Sequence, residues 1–408
     1  MSSGLNIAFF GSSLVSAYWN GAATYYRGIV RALHGRGHRV TFYESDAYDR
    51  QAHRDIPDPP WATVVVYSST GTDDVRRCLD AAAGADLIVK ASGNGVFDGL
   101  LEDAVAGLKS ADNLVAFWDV DAPATLERVH YNPADPFLKL IPKYDLVLTY
   151  GGGDLVVSAY EALGARHCVP IYNALDPSTH YPVAPDERFA ADLGFLGNRL
   201  PDREARVEEF FLKAAALLPE RRFMIGGSGW GDKPKPANVR DVGHVYTRDH
   251  NAFNCTPTAV LNVNRDSMAR FGFSPATRVF EAAGAGACLI TDAFLGVETF
   301  FEPGEEILVA DDGDEVAEHV RSLTPARANA IGRAALRRVL AGHTYDHRAA
   351  LLEEVLDLRW DRHSCLPAAR AWEGHSCPSP SRAASGGTGM SLHSVRPVTD
   401  RNVCPTGA

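Results

Sequence analysis

The chain has 408 residues, 46% of them hydrophobic, and a formal net charge of −11. That length exceeds one ordinary core and calls for two domains. The acidic balance excludes a general attraction for nucleic acid or an anionic membrane surface, and no apolar run reaches the length of a membrane span.

The N-terminal stretch SSGLNIAFFGSS lacks a basic leader, and its apolar run stops at Gly11. It reads as a first strand, NIAFFG, and not as a signal peptide. TYYRGIVRALHGRGH follows as a helix, with Ile29, Val30 and Leu33 at helical spacing and glycines at its end. RVTFYES, ADLIVKAS, NLVAFWDV and YDLVLTYG are short, continuously apolar strands. Strands buried on both faces read this way, as in a parallel sheet covered by helices. The series is βαβ and predicts a doubly wound α/β domain. After VPIYNALDPSTHYP a second series begins with the strand DLGFLGN and the helix REARVEEFFLKAAALLP. RRFMIGGSG, VRDVGHV, TAVLNVNR, ACLITD and EEILVA continue it, and TYDHRAALLEEVLDLRW closes it as an amphipathic helix. The expected division is 1–172, 173–343, a C-terminal helix over 344–358, and a tail over 359–408.

That tail is rich in Ser, Pro, Gly and Cys and is expected to be disordered. Its repeated HSC, at 363–365 and 375–377, does not have a common zinc-finger spacing. The four cysteines of the main body, at 78, 168, 255 and 288, show no CxxC pattern and are expected to be reduced thiols of a cytoplasmic protein.

The segment SPATRVFEAAGAGACLITD places one carboxylate among Ala and Gly. Ser274-Pro275 is a helix-start signal, with Ser274 as N-cap, and the helix should end at Gly284 or Gly286. Its N-terminus would seat a phosphate. Arg278 adds a full positive charge one turn in, and Glu281 follows on the same face. A carboxylate there can accept two hydrogen bonds from a ribose diol. The plainer alternative is a surface ion pair between Arg278 and Glu281.

The run LNVNRDSMARFGFSPATRVFEAAGAGACLITDAFLGVETFFEPGEEILV resembles the C-terminal half of GT-B glycosyltransferases. It is similar to the group that includes the spore-maturation-protein type. GSSLVSAYWNGAATYYRGIVRALHGRGHRVTFYE resembles the first βαβ unit of that fold, and DLGFLGNRLPDREARVEEF the start of its second domain. The resemblance covers about residues 5–358. It implies a GT-B architecture of two doubly wound Rossmann-like domains facing a central cleft, with the acceptor on the first and a nucleotide-sugar on the second. It implies that Glu281 binds the ribose and that the Ser274 helix meets the diphosphate. Many retaining members carry another Glu eight positions earlier, where this chain has Phe273, so no stereochemical course is assigned.

Other candidates surround these. Gly227 and Gly229 lie in a glycine-rich turn that lets backbone amides approach phosphate, although an ordinary turn explains them as well. Gly11, Ser12 and Ser13 close the first strand where small donors can touch a leaving phosphate. Gly243 and His244 resemble the segment whose backbone reads the nucleobase. Arg265 ends a strand where it can neutralise a diphosphate, or it forms a surface salt bridge. Asp119-x-Asp121 has the look of a metal-binding DxD, but it closes a middle strand. A cleft-facing role with Asp119 or Asp121 as general base fits better, or Asp121 simply caps the next helix. The DDGDE run at 311–315 reads as helix capping. The expectation is a metal-independent glycosyltransferase with no cofactor beyond its nucleotide-sugar donor and a glycan, lipid or small-molecule acceptor. The alternatives are an epimerase or hydrolase of nucleotide sugars, and a non-catalytic binder.

Overall fold

The computed structural model describes residues 4–18 and 20–363. The tail with its HSC repeat lies almost wholly outside the described residues. Seven strands form the first sheet: β1 Asn6–Phe10, β2 Arg39–Asp46, β3 Thr63–Ser68, β4 Leu87–Ala91, β5 Leu114–Asp119, β6 Leu146–Thr149 and β7 Cys168–Pro170. The helices among them are α1 Ala23–Gly35, α2 Thr72–Ala82, α3 Asp98–Gly107, α4 Ala122–Tyr131 and α5 Gly153–Ala162. The sheet order is β3-β2-β1-β4-β5-β6-β7, every pair parallel.

The second sheet holds β8 Leu193–Leu196, β9 Phe223–Gly226, β10 Val239–Gly243, β11 Ala259–Asn262, β12 Leu289–Asp292 and β13 Leu308–Ala310. Its order is β10-β9-β8-β11-β12-β13, again all parallel. Its helices are α6 Pro201–Val207, α7 Lys213–Leu217, α8 His250–Cys255, α9 Asp266–Phe271, α10 Thr277–Gly284, α11 Gly313–Ser322, α12 Pro325–Gly342 and α13 Tyr345–His363. A wide π-turn over Glu208–Leu212 joins α6 to α7. Both sheets change winding direction beside their first strand, the doubly wound pattern read from the sequence.

The elements form for the reasons their sequences give. β4, β5 and β6 are buried at every position, as both-face coverage requires. β3 and β7 had no place in the sequence reading. β3 is an edge strand whose Val66 is exposed, and β7 has three residues. Behind β1, Phe9 packs on Tyr26, Phe42 and Trp118. The Trp118 indole donates to the Tyr25 hydroxyl (3.0 Å), which donates to the Ile171 carbonyl (2.6 Å). Each such ring contributes about 1.5–3 kcal/mol by burial.

The last helix does not stop at 358 but runs to His363, and it returns to the first half. Glu353 accepts from Arg36 (2.7 Å) and lies 2.8 Å from His38 Nε2. Tyr345 rests on α1 at Gly28, where an added Cβ would lie 2.2 Å from its ring. Met1–Arg359 is accordingly one compact unit. No helix among the described residues is long and apolar enough to cross a membrane.

His343, at the turn into α13, lies among the rings of Phe280, Phe300 and Phe301. Burial first, then the charges of Arg348, Arg338 and His347, pull it from an ordinary 6.5 to about 3. Its Nδ1 faces Arg348 Nη2 at 3.0 Å, so the neutral ring accepts there. The unfolded chain therefore binds a proton between these values that the folded chain refuses. Stability should fall as pH drops from about 6.5 toward 3. Thermal melting from pH 7 to 4 should show that slope, and His343→Phe should flatten it.

Candidate active site

The carboxyl ends of β5 and β11 approach each other where Asp121 meets Arg265 (3.4 Å), the end of the sheets at which open α/β folds bind ligands. α10 begins at Thr277 with Ala276 as N-cap and no side-chain cap, three residues later than Ser274. The reason is tertiary. The Asn173 amide, at the start of the second half, donates to the Pro275 carbonyl (3.2 Å), and the step before it packs on the first half. Ser274 is buried against Gly151, where a Cβ would sit 2.6 Å from its hydroxyl. It is a packing residue and not the cap.

Glu281 is only 9% exposed, and its carboxylate lies 3.9 Å from His180 Nε2. Burial pushes its pKa up, but His180, Arg278 and His250 outweigh that and hold it below the ordinary value. His250 is drawn down to about 4, by burial first and then by Arg278, against the pull of Glu281. Arg278 is itself lowered by burial, and its Nη1 is buried without a partner. This is no solvated surface pair. It is a buried carboxylate ringed by cationic and imidazole groups, with hydrogen-bonding capacity left over.

The strand ends beside it gather more cations. Arg203, on α6, was not singled out in the sequence. Its pKa falls to about 10, through burial first and then Arg278 and Arg265, with Asp202 opposing. Arg265 bonds Asp202 and reaches Asp121 of the first half at 3.4 Å. Burial alone would lower Arg265, but those two carboxylates raise it. Arg206 donates to the fully buried Asp292 (2.6 Å), which also takes the Asn264 amide (3.0 Å).

Between residues 190 and 290, the buried side-chain atoms without a partner are Arg203 Nε, Arg206 Nε, Asn254 Nδ2 and Oδ1, Asn264 Nδ2 and Arg278 Nη1. All but Asn254 Oδ1 are donors. Buried donors are ordinarily satisfied. A set this one-sided suits a ligand made of acceptors.

Several expected contacts are already committed elsewhere. Gly227 donates its amide to Gly243 (2.7 Å), and a Cβ there would lie 2.3 Å from the Gly197 carbonyl. A Cβ on Gly229, at φ +89°, would meet Arg199 at 3.1 Å. These glycines let two turns pack, and the Gly227 amide is spent within them. Gly11 donates to Tyr43 (3.1 Å), the Ser12 hydroxyl to Asn20 (2.8 Å) and the Ser13 hydroxyl to Glu44 (3.0 Å). The Gly11 amide and the two hydroxyl protons therefore brace the loop after β1 and are not the groups offered to a leaving phosphate. Gly243 (φ +65°) ends β10 at a bulge, and His244 stands exposed with its ring edge on Tyr246. Asp312 caps α11 through the Glu315 amide (3.0 Å).

The two aspartates separate. Asp119 is fully buried. It accepts from Ser92 (2.7 Å), the Asp121 amide (3.0 Å), Thr125 (3.1 Å) and Tyr160. It cannot reach a substrate, which corrects its assignment as a base. Burial raises its pKa, and these bonds oppose the rise. Asp119→Ala should strand those donors and cost about 3 kcal/mol or more in urea unfolding, with nucleotide affinity of the folded protein unchanged. Asp121 precedes α4 without a side-chain capping bond, and its half-buried carboxylate faces Arg265 across the cleft. It remains the candidate base.

Phe273 does structural work that sequence reasoning missed. It sits at φ +44°. Its amide donates to Leu295 (2.6 Å), and its carbonyl accepts from Gly152 of the first half (2.9 Å). A Cβ on Gly153 would lie 2.5 Å from its ring, and one on Gly296 2.2 Å. The Gly151–Gly153 run of the first half is therefore shaped to receive this loop.

A family profile described as Glycosyl transferase-like matches residues 203–354. The fold matches sucrose-phosphate synthase from Thermosynechococcus elongatus with a TM-score of 0.63 and 14% identity, over 88% of this chain and 100% of that one. Anabaena HepE, solved with UDP-glucose, matches with a TM-score of 0.60 and 14% identity over 87% and 100%. An α-glucosyltransferase solved with UDP and DNA matches with a TM-score of 0.62 and 11% identity over 87% and 99%. No curated protein matches the chain in sequence. The fold is GT-B.

Proposed function

From a glycosyl transferase-like segment at residues 203–354 set in a GT-B fold, we propose that this protein transfers a sugar from a nucleoside-diphosphate sugar to an acceptor hydroxyl. The observation that carries the reading is the convergence of Arg203, Arg265 and Arg278 beside buried Glu281, with donors left unpartnered. Like charges drawn together in a low-dielectric cleft repel strongly, and a polyanion relieves that. The diphosphate lies against the three guanidiniums and the Asn264 side-chain amide. The ribose diol meets Glu281, and the base extends toward Gly243 and His244.

Transfer breaks the bond between the anomeric carbon and the diphosphate oxygen and forms one to the acceptor oxygen. The electron pair leaves with the diphosphate, where Arg203 and Arg265 stabilise it in place of a metal ion. The acceptor proton passes to Asp121. Because Arg265 and Asp121 belong to different halves, closing the cleft assembles leaving-group stabiliser and base together and excludes water.

The test is incubation of the full chain with UDP-, GDP- and ADP-sugars, with and without a panel of acceptors, and chromatography of the nucleotides. Diphosphate release accelerated by an acceptor supports transfer. Release indifferent to acceptor supports a hydrolase. Binding without release would leave a carrier and remove the catalytic assignments.

A further inference from the structure

The first sheet turns direction at β1, with β2 on one side and β4 on the other. In doubly wound sheets the loops part at that point and leave a crevice above the strand ends. Here the loops after β2 and β4 meet over it through one side chain. Tyr48 donates its hydroxyl to the Gly95 carbonyl (2.8 Å), and a Cβ on Gly95 would lie 2.7 Å from its ring. Tyr48 and Asp49 both hold positive φ, +57° and +55°, though neither is glycine. Such consecutive strain persists where the surroundings impose it, and it collects at ligand sites.

Tyr48 is nevertheless 53% exposed. The Arg50 guanidinium lies 5.0 Å from its ring centre, so the ring has a backed face and a free one. Tyr18 on the adjoining loop stacks on His53 at 4.0 Å and is 40% exposed. His53 bonds the Asp49 carbonyl (2.9 Å), which ties both rings to one turn.

At the same crevice, on the loop after β4, Asn94 is 0% exposed, and both its Nδ2 and its Oδ1 lack a partner. The Tyr67 hydroxyl stands beside it, near enough for the Asn94 amide to oppose the rise in its pKa but short of hydrogen-bond geometry, and the Ser45 hydroxyl is unpartnered. The formal charges nearby are matched. Lys90 holds Asp98 (2.7 Å) and the Ala91 carbonyl (2.6 Å). Glu44 accepts from Ser13, Leu14 and Gln51, and Arg50 faces Glu44 and donates to the Ser12 carbonyl (3.2 Å). What remains on offer is an amide, two hydroxyls and an aromatic face. An amide can both donate to and accept from a hydroxyl. A ring backed on one side offers its other side to the C–H face of a pyranose.

We propose that the crevice between the β2 and β4 loops is a saccharide subsite, taking an uncharged, hydroxyl-rich sugar against Tyr48 with a hydroxyl on the Asn94 amide. That this sugar belongs to the acceptor rests on the transfer reading above; the saccharide site itself does not. Tyr48 swings from Gly95 to admit the ligand.

Saturation-transfer NMR on the full chain tests this, with methyl glucoside, galactoside and mannoside as neutral probes and glucuronate and glucose 6-phosphate as charged ones. At least one neutral glycoside should give a signal that falls about fivefold or more in Tyr48→Ala and in Asn94→Ala. No signal from any neutral probe, a signal that survives both substitutions, or a stronger signal from the charged probes would overturn the proposal. Tyr48 is exposed, so its variant should fold whatever becomes of Asn94→Ala. Nucleotide titration of the same samples separates the two readings. Wild type that binds glycoside but no nucleotide sinks the transfer reading and leaves this one standing.

Discussion

Arg203→Ala should lose affinity for nucleoside diphosphate and for pyrophosphate together, each by roughly 10–100-fold, and turnover should fall by about 10²–10³. The argument is electrostatic. Arg203 bonds the Asn198 carbonyl through one terminal nitrogen and leaves Nε buried and unpartnered. Its charge is disfavoured by burial and by Arg278 and Arg265. Removing it from the ligand-free protein relieves repulsion and should therefore leave the melting temperature unchanged or higher. An arginine held only for structure would give the opposite pattern, lower stability with unchanged ligand binding. Calorimetry with pyrophosphate, beside a melting curve, separates the two.

Glu281→Ala should behave differently. Nucleoside diphosphate affinity should fall by about 100-fold, through the loss of two hydrogen bonds from the ribose to a charged acceptor. Pyrophosphate affinity should hold or rise, because Arg278 then faces the ligand without a neighbouring carboxylate. The substitution also leaves Arg278 buried and uncompensated, so a stability loss is expected, and comparison is made well below the melting temperature. Glu281 is held below the ordinary carboxylate value. Its contribution is present above that ordinary range and is lost only as pH falls through the depressed value, so the ratio of wild-type to Glu281→Ala nucleotide affinity should be flat from about pH 8 to 5. Parallel losses of pyrophosphate and nucleotide in this variant would contradict the ribose assignment.

Much of this was legible in the residues. The continuous apolar strands, the helices between them and the lone carboxylate among small residues gave the two parallel sheets and drew attention to Glu281. β3 was hidden because an edge strand with exposed Val66 lacks the fully buried signature. The Ser-Pro start of α10 misled because local capping preference yielded to tertiary contacts, where Asn173 holds Pro275 and Gly151 of the first half packs on Ser274. Glycine runs are ambiguous by nature. Gly227 and Gly229 turned out to permit turn packing, while Gly151–Gly153, passed over in the sequence, receives Phe273. Asp119 and Asp121 look equivalent in FWDVDAP, and only burial tells them apart. Arg203 was passed over because an arginine in PDREAR resembles any solvated helix start. Its importance lies in Arg265 and Arg278, which are distant in sequence.

The most direct test of the central claim is calorimetric titration of UDP, GDP and ADP against their own monophosphates into the wild-type chain. The account predicts that one nucleoside binds, and that its diphosphate exceeds its monophosphate by roughly tenfold or more, because three arginines converge on the second phosphate. Equal affinity of the two forms, or binding of none of them, would contradict it.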